Sequence, residues 1–265
     1  MTEPTSTTPQ GMPVTADEPH FAYVLRHADD NLVLAQRLGE WISRAPELEE
    51  DIALANIGLD HLGQARALLT HAGAIEGAGR SEDDLAMFRD ERSFTNLLLV
   101  EQPNGDFAHT MARALFFDAY QIEMWDGLAR STDPTLAGIA AKALKETRYH
   151  LRHSSTWMVR LGDGTDESHS RAQRAVDQLW RFTAEPFQAD ETDADAVAAG
   201  WGPAPEDLAE RWLERVRAVL DEAALEVPAD PYQRSGGRAG FHTEHLGHLL
   251  AEMQWTARAH PGLSW

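Results

Sequence analysis

The chain contains no cysteine. That absence excludes disulfides, a thiolate nucleophile and any iron–sulfur cluster held by this polypeptide, so electrons for redox chemistry would have to come from another chain. No run of about 18 uninterrupted apolar residues occurs, which leaves no candidate for a membrane-crossing helix. The amino-terminal stretch MTEPTSTTPQGMPVTADEP lacks the basic start and apolar centre of a secretion signal, and a cytoplasmic protein is expected. Positive charge is scarce. With 23 Lys and Arg against 43 Asp and Glu, the formal net charge is −20, which argues against a nucleic-acid partner and favours basic protein partners. Alternation with a period of two is nowhere long enough to build a sheet.

What remains is a chain of 265 residues, 43% hydrophobic and 25% charged, long enough for one large helical domain. Residues 1–16, rich in Thr, Pro and Ser, read as a disordered tail, and 17–265 as a single helical domain. A first helix is expected from about Asp17 to Arg44, striped by Tyr23, His27, Leu34, Leu38, Trp41 and Ile42. Pro46 opens a second, whose Leu48, Ile52, Leu59, Leu62 and Leu69 share one face. A third segment covers Glu82 to Val100 and closes at the Pro103-Asn104-Gly105 turn. A fourth spans Asp106 to Arg130, and Asp133-Pro134 caps a fifth that ends at Leu161–Gly164. Further helices are expected near 166–184 and 206–226, and from Thr243 to Ala259. The fold class is all-α, with four helices long enough to form a bundle.

One kind of four-helix bundle, the ferritin-like diiron type, takes a Glu from each of two helices and a Glu-x-x-His pair from each of the other two. The chemistry demands it, since two adjacent iron ions need several anionic oxygens and an imidazole each. Tested in that order, the sequence offers Glu40, then Asp60 with Gly63 three residues on, then Asp118, then Glu146 with Tyr149 three residues on. The acidic places are filled and both histidine places are empty. His61 and His150 stand one residue away, turned about 100° around their helices. The site therefore reads as vestigial: no metal and no catalytic residue is expected in this chain.

Each acidic residue also has a plainer reading. Glu40 lies on a stripe with Arg26, Asp29, Arg37 and Arg44, as expected of a solvated ion-paired face. Asp60 belongs to a small-residue stripe with Ala53, Asn56, Gly63 and Ala67 that would admit a neighbouring helix. Asp118 is surrounded by Met111, Leu115, Ile122 and Trp125, so it should be buried and in need of a cation, for which Lys142 is the candidate. The run HTEHLGH from His242 to His248 resembles a metal motif, but Thr243 suits an N-cap and Glu244 a first turn, so hydrogen bonding at a helix junction is favoured. The loop Ser235–Gly240 lacks the Lys-Ser/Thr pair of a phosphate-binding loop.

Several longer strings carry a resemblance. They are RLGEW from Arg37, ALANIGLDHLGQAR from Ala53, RDERSFTNLLLVEQPNGDFA from Arg89, KETRYHLR from Lys145, RLGDGTD from Arg160, LWRFTAE from Leu179, HTEHLG from His242 and LAEMQ from Leu250. In these the chain resembles the C subunits of bacterial phenylacetyl-CoA 1,2-epoxidase, from about Tyr23 onwards. The resemblance implies a ferritin-like fold and a non-catalytic, structural role in aerobic phenylacetate catabolism. It implies as partners a catalytic A subunit holding the diiron centre, a B subunit, and an NADPH-dependent reductase subunit with flavin and an iron–sulfur cluster, and no cofactor in this chain. It further implies a contact with phenylacetyl-CoA around Ser93, Phe94, Thr95 and Asn96, although the first and third differ from the family pattern. The competing reading makes Phe94, Leu97 and Leu98 core or interface residues. An active diiron oxygenase and a free-standing acyl-CoA-binding module are the alternatives from other classes.

Overall fold

The computed structural model describes residues 18–229 and 232–263, so the tail expected over 1–16 lies outside the described residues. Among the described residues there are ten α-helices, a few 3-10 turns and no strand. The four long helices are α1 (Glu18–Gly39), α2 (Leu48–Glu76), α5 (Phe107–Leu128) and α6 (Pro134–Gly162). Short loops make α1 with α2, and α5 with α6, into two hairpins that pack along their lengths, with α2 against α6. A long crossover carrying α3 (Glu82–Met87) and α4 (Leu98–Glu101) joins the hairpins. Two hairpins joined by one long crossover is the connectivity of ferritin-like bundles. Around them lie α7 (Asp166–Leu179), α8 (Glu191–Ala199), α9 (Ala209–Glu222) and α10 (Glu244–Ala259).

The helix ends follow local chemistry. The Asp106 carboxylate accepts from His109 N–H, and Asp133 accepts from the N–H groups of Thr135 and Leu136 with Pro134 inside the first turn. Gly77 ends α2 at φ 67°, a conformation that favours glycine, and donates to the Gly73 carbonyl. The third expected helix, 82–100, is broken: a 3-10 turn at Glu91–Ser93 and extended residues separate α3 from α4. Residues 188–205, an acidic stretch, contain α8, capped by Asp190.

One continuous apolar core runs from Tyr23 to Leu250. Helix α1 is its axis, with every residue from Tyr23 to Ala35 buried. The expected solvated face of α1 is therefore wrong, because Arg26, Asp29 and Arg37 are all buried. The crossover, α8 and the segment before α10 lie over it and supply polar partners. Asp29 accepts from Arg89 and from the Thr95 backbone N–H at 2.9 Å. Asp30 accepts from Arg238 at 2.8 and 3.0 Å and from Leu97 N–H at 2.8 Å. Arg26 donates to Asp190 and Asp193.

Helix α2 is apolar on two faces. Leu54, Ala65, Leu68 and Leu69 point inward, whereas Leu48, Ile52, Leu59 and Leu62 are 46–70% exposed. The stripe read from the sequence shares one face as expected, apart from Leu69, but that face points away from the core. Close approach of α1 to α2 occurs at Gly58, where an added Cβ would sit 3.3 Å from Leu38 Cβ; at Gly63 it would meet nothing within 4 Å.

Candidate functional site

The six positions expected to trace an old diiron site do not converge. Glu40 lies just beyond α1, accepting from Arg37 at 2.7 Å and from Asn104. Gly63 is exposed on α2, and Tyr149 is 65% exposed on α6 with Arg152 against its ring. Glu146 pairs with Lys142 at 2.6 Å and accepts from Gln64 at 3.0 Å. Asp60 sits half-exposed at the edge of a groove. Only Asp118 points to the bundle centre, and there the pairing with Lys142 fails: Lys142 is 72% exposed, and Asp118 accepts instead from Ser154 Oγ at 2.8 Å. Lys142 lies on the wrong side of α6. Among Asp118's helix neighbours Met111, Leu115 and Trp125 are buried as expected.

The residues that do converge are those that spacing alone excluded. His61 on α2 and His150 on α6 are fully buried, and one ligand atom from each lies within 4.8 Å of the Asp118 carboxylate and of the other. Burial pushes the Asp118 carboxyl up to about 8, against the opposing Ser154 hydrogen bond. Burial also drives His61 well below its ordinary value and lowers His150, although the Asp60 carboxylate works the other way. At neutral pH the centre is thus two neutral imidazoles and a largely protonated acid.

Taking the histidines as fixed points corrects the register. Three residues before His61 stands Gly58, and three before His150 stands Thr147. Across the bundle, Asn31 on α1 accepts from His61 Nδ1 at 2.8 Å and from Gln121 Nε2 of α5 at 3.0 Å. Imidazoles stand where the diiron pattern has them, and a glycine, a hydroxyl and amides where it has carboxylates. A diiron centre, which the fold type would lead one to expect, does not fit this set, because Asp118 alone cannot neutralise two iron ions. The sequence signal was available: counting back three residues from each histidine, rather than forward from each acid, finds Gly58-x-x-His61 and Thr147-x-x-His150.

The segment expected to meet CoA is mostly interior. Phe94 and Asn96 are wholly buried, Phe94 beneath the Arg89 guanidinium at 4.1 Å and Asn96 donating to Glu101 at 2.9 Å. Ser93 is exposed and Thr95 partly so. His242 forms a helix junction, as expected, pairing with Glu101 at 2.8 Å and the Phe94 carbonyl at 2.9 Å. Thr243 holds the N-cap position of α10, but its hydroxyl donates to Glu101 rather than capping the helix. Among the described residues no helix is long and apolar enough to cross a membrane.

Two comparisons agree with this architecture. The family model described as phenylacetic acid catabolic protein matches residues 1–265. The C subunit of the 1,2-phenylacetyl-CoA epoxidase of Escherichia coli (strain K12) is 55% identical over 244 residues, which cover 92% of this chain and 98% of that one. The chain belongs to the phenylacetic acid catabolic protein family.

Proposed function

We propose that this chain is the non-catalytic, structural subunit of a multicomponent phenylacetyl-CoA 1,2-epoxidase, holding the catalytic A subunit in its folded, active form. One observation carries the reading. Among the described residues the histidine-lined centre of the bundle holds one carboxylate, Asp118, where diiron chemistry needs several, while α2 turns an apolar stripe outward. Leu48, Ile52, Leu59 and Leu62 are exposed along α2, and Ile42 in the loop before it. Such a stripe is unusual on a chain that works alone. An apolar stripe of this kind fits an A subunit presenting an apolar surface of its own. The similarity to a lettered subunit of an epoxidase names the enzyme to which that partner belongs.

In this reading the diiron centre resides in the A subunit. Flavin and an iron–sulfur cluster belong to the reductase subunit in this reading, which is consistent with a chain that has no cysteine to hold a cluster, and the B subunit is the remaining member of the assembly. The segment Phe94–Leu99 and the start of α10 are mostly core or junction, which leaves the outer face of α2 as the favoured A-subunit contact. In the segment expected to meet CoA, the accessible surface is confined to Ser93 and the exposed edge of Thr95.

The test is to express the A subunit with and without this chain and to assay phenylacetyl-CoA turnover with reductase and NADPH. The expected result is a stable, active complex only when both are present, since obligate interfaces of about 2,000 Å² or more stabilise their partners by mass action. Full turnover by the A subunit and reductase alone would overturn the proposal.

A further inference from the structure

The buried centre of the bundle contains two unused lone pairs. Asn31 Nδ2 donates to the His27 carbonyl at 2.8 Å, which fixes the amide so that its Oδ1 accepts, and His61 must therefore donate through Nδ1. That leaves His61 Nε2 unprotonated. His150 Nε2 donates to the Asp60 carboxylate at 3.0 Å, which leaves its Nδ1 unprotonated. Both free nitrogens are buried without a protein hydrogen-bond partner, as is the hydroxyl of Thr147, one turn before His150 on α6. Orphaned buried acceptors cost free energy unless something fills them.

We propose that His61 Nε2, His150 Nδ1 and the Asp118 carboxylate bind one divalent transition-metal ion of the zinc class, tying α2, α5 and α6 together at the bundle centre. Two imidazoles and one carboxylate form a donor set suited to Zn(II), with a fourth position open to water. A tetrahedral site with bonds of about 2.1 Å holds its ligand atoms about 3.4 Å apart. The three groups, now within 4.8 Å of one another, need to close by about 1.4 Å at most. Each imidazole is already oriented through its second nitrogen, His61 by Asn31 and His150 by Asp60, the arrangement that fixes metal-binding histidines. An approach exists: Asp60 and His150 line a groove of about 460 Å³ between α2 and α6. One carboxylate suits one ion, not two.

A second cluster, His20, His71 and Asp133, is equally compact but differs in kind. There His71 Nε2 and His20 Nε2 both approach the same Asp133 oxygen, while the other oxygen caps α6. That carboxylate is already engaged and serves here as the control.

The experiment uses the full chain, stripped with a chelator and titrated separately with zinc and with cobalt(II). The expected result is one ion per chain, a thermal midpoint that rises with zinc concentration, and the visible bands of four-coordinate cobalt with imidazole ligands. His61→Leu and Asp118→Asn should each weaken binding at least tenfold, while His71→Gln should not. Should a variant fail to fold, imidazole ligation is read on the unsubstituted chain from its histidine resonances as zinc is added. Absence of binding would overturn the proposal, with an ordered water bridging the three groups. So would zinc affinity unchanged in His61→Leu, or lost in His71→Gln. Neither zinc nor cobalt binding depends on the partner subunits, so failure here leaves the proposed role in the epoxidase standing; two iron ions per chain would overturn both.

Discussion

Two regions of this molecule bury polar side chains to the same depth and use them in opposite ways. In the clasp around α1, the acids Asp29, Asp30, Glu101 and Glu185 are saturated. Glu101 accepts from Asn96, His242 and both donors of Thr243, and Glu185 accepts from the N–H groups of Leu98, Gly236 and Gly237. At the bundle centre, Asp118 accepts from Ser154 and the histidines beside it have spare lone pairs. Saturation fixes a fold, because each buried charge is answered by a defined donor. Vacancy is tolerated only at modest cost or where something else occupies it. The difference teaches that a buried acid is not by itself the mark of an old metal site: Asp29 and Asp30 are structural pegs holding the crossover and the Arg238 loop onto α1.

The sharpest way to break the comparison is to remove a peg. Asp30→Ala removes the carboxylate that accepts directly from the buried Arg238 guanidinium, and should cost about 3–5 kcal/mol, a large share of a typical domain's stability. Asp30→Leu combined with Arg238→Met should recover much of that loss; urea denaturation of the three variants checks both. Phe94→Ala should cost a similar amount, about 3–5 kcal/mol, by opening a cavity under Arg89. Its effect on turnover would then follow from misfolding and not from lost substrate contact, which a fall in the chain's own unfolding midpoint would reveal.

A smaller effect is expected from His242. Burial opposes its charge, but the Glu101 carboxylate and the Phe94 carbonyl outweigh burial and hold the imidazole above its usual value. A raised folded value means that the stabilisation is complete below the unfolded value of about 6.5 and is lost as pH rises through the folded value. The urea midpoint of the parent chain should therefore fall as pH rises above about 6.5 and through the raised folded value, and His242→Gln should flatten that slope. An unchanged slope would mean that His242 is not charged in the fold. Smallest of all is Asp118→Leu in the metal-free chain, expected to cost about 1 kcal/mol or less, because only the Ser154 hydrogen bond is lost. A cost like that of Asp30→Ala would erase the distinction between the two regions.

Much of the fold was legible in the sequence because local signals determine it. Asp106, Asp133-Pro134 and the Pro103-Asn104-Gly105 turn placed the starts of α5 and α6, and the four long helices emerged from periodicity. The burial of α1 was not legible, since Arg26, Asp29 and Arg37 look like a solvated stripe until distant residues such as Arg89 and Asp190 are folded onto them. Nor did periodicity reveal which apolar face of α2 is internal, because it measures sidedness and not direction. At the site, the residue types were readable but the register was not. Searching forward from acids selected Gly63 and Tyr149, both exposed, whereas the histidines one position away carried the geometry.

The central claim is that this chain contributes a surface, and that the surface is the outer face of α2. Ile52→Glu with Leu59→Glu places two charges on side chains that are 54% and 64% exposed and so should leave the chain's helicity and urea midpoint within about 0.5 kcal/mol of the parent. Affinity capture of the A subunit, followed by turnover with reductase, is the direct measurement. The account predicts that the double variant folds normally, fails to retain the A subunit and restores no epoxidation. A double variant that binds and supports turnover like the parent would contradict it.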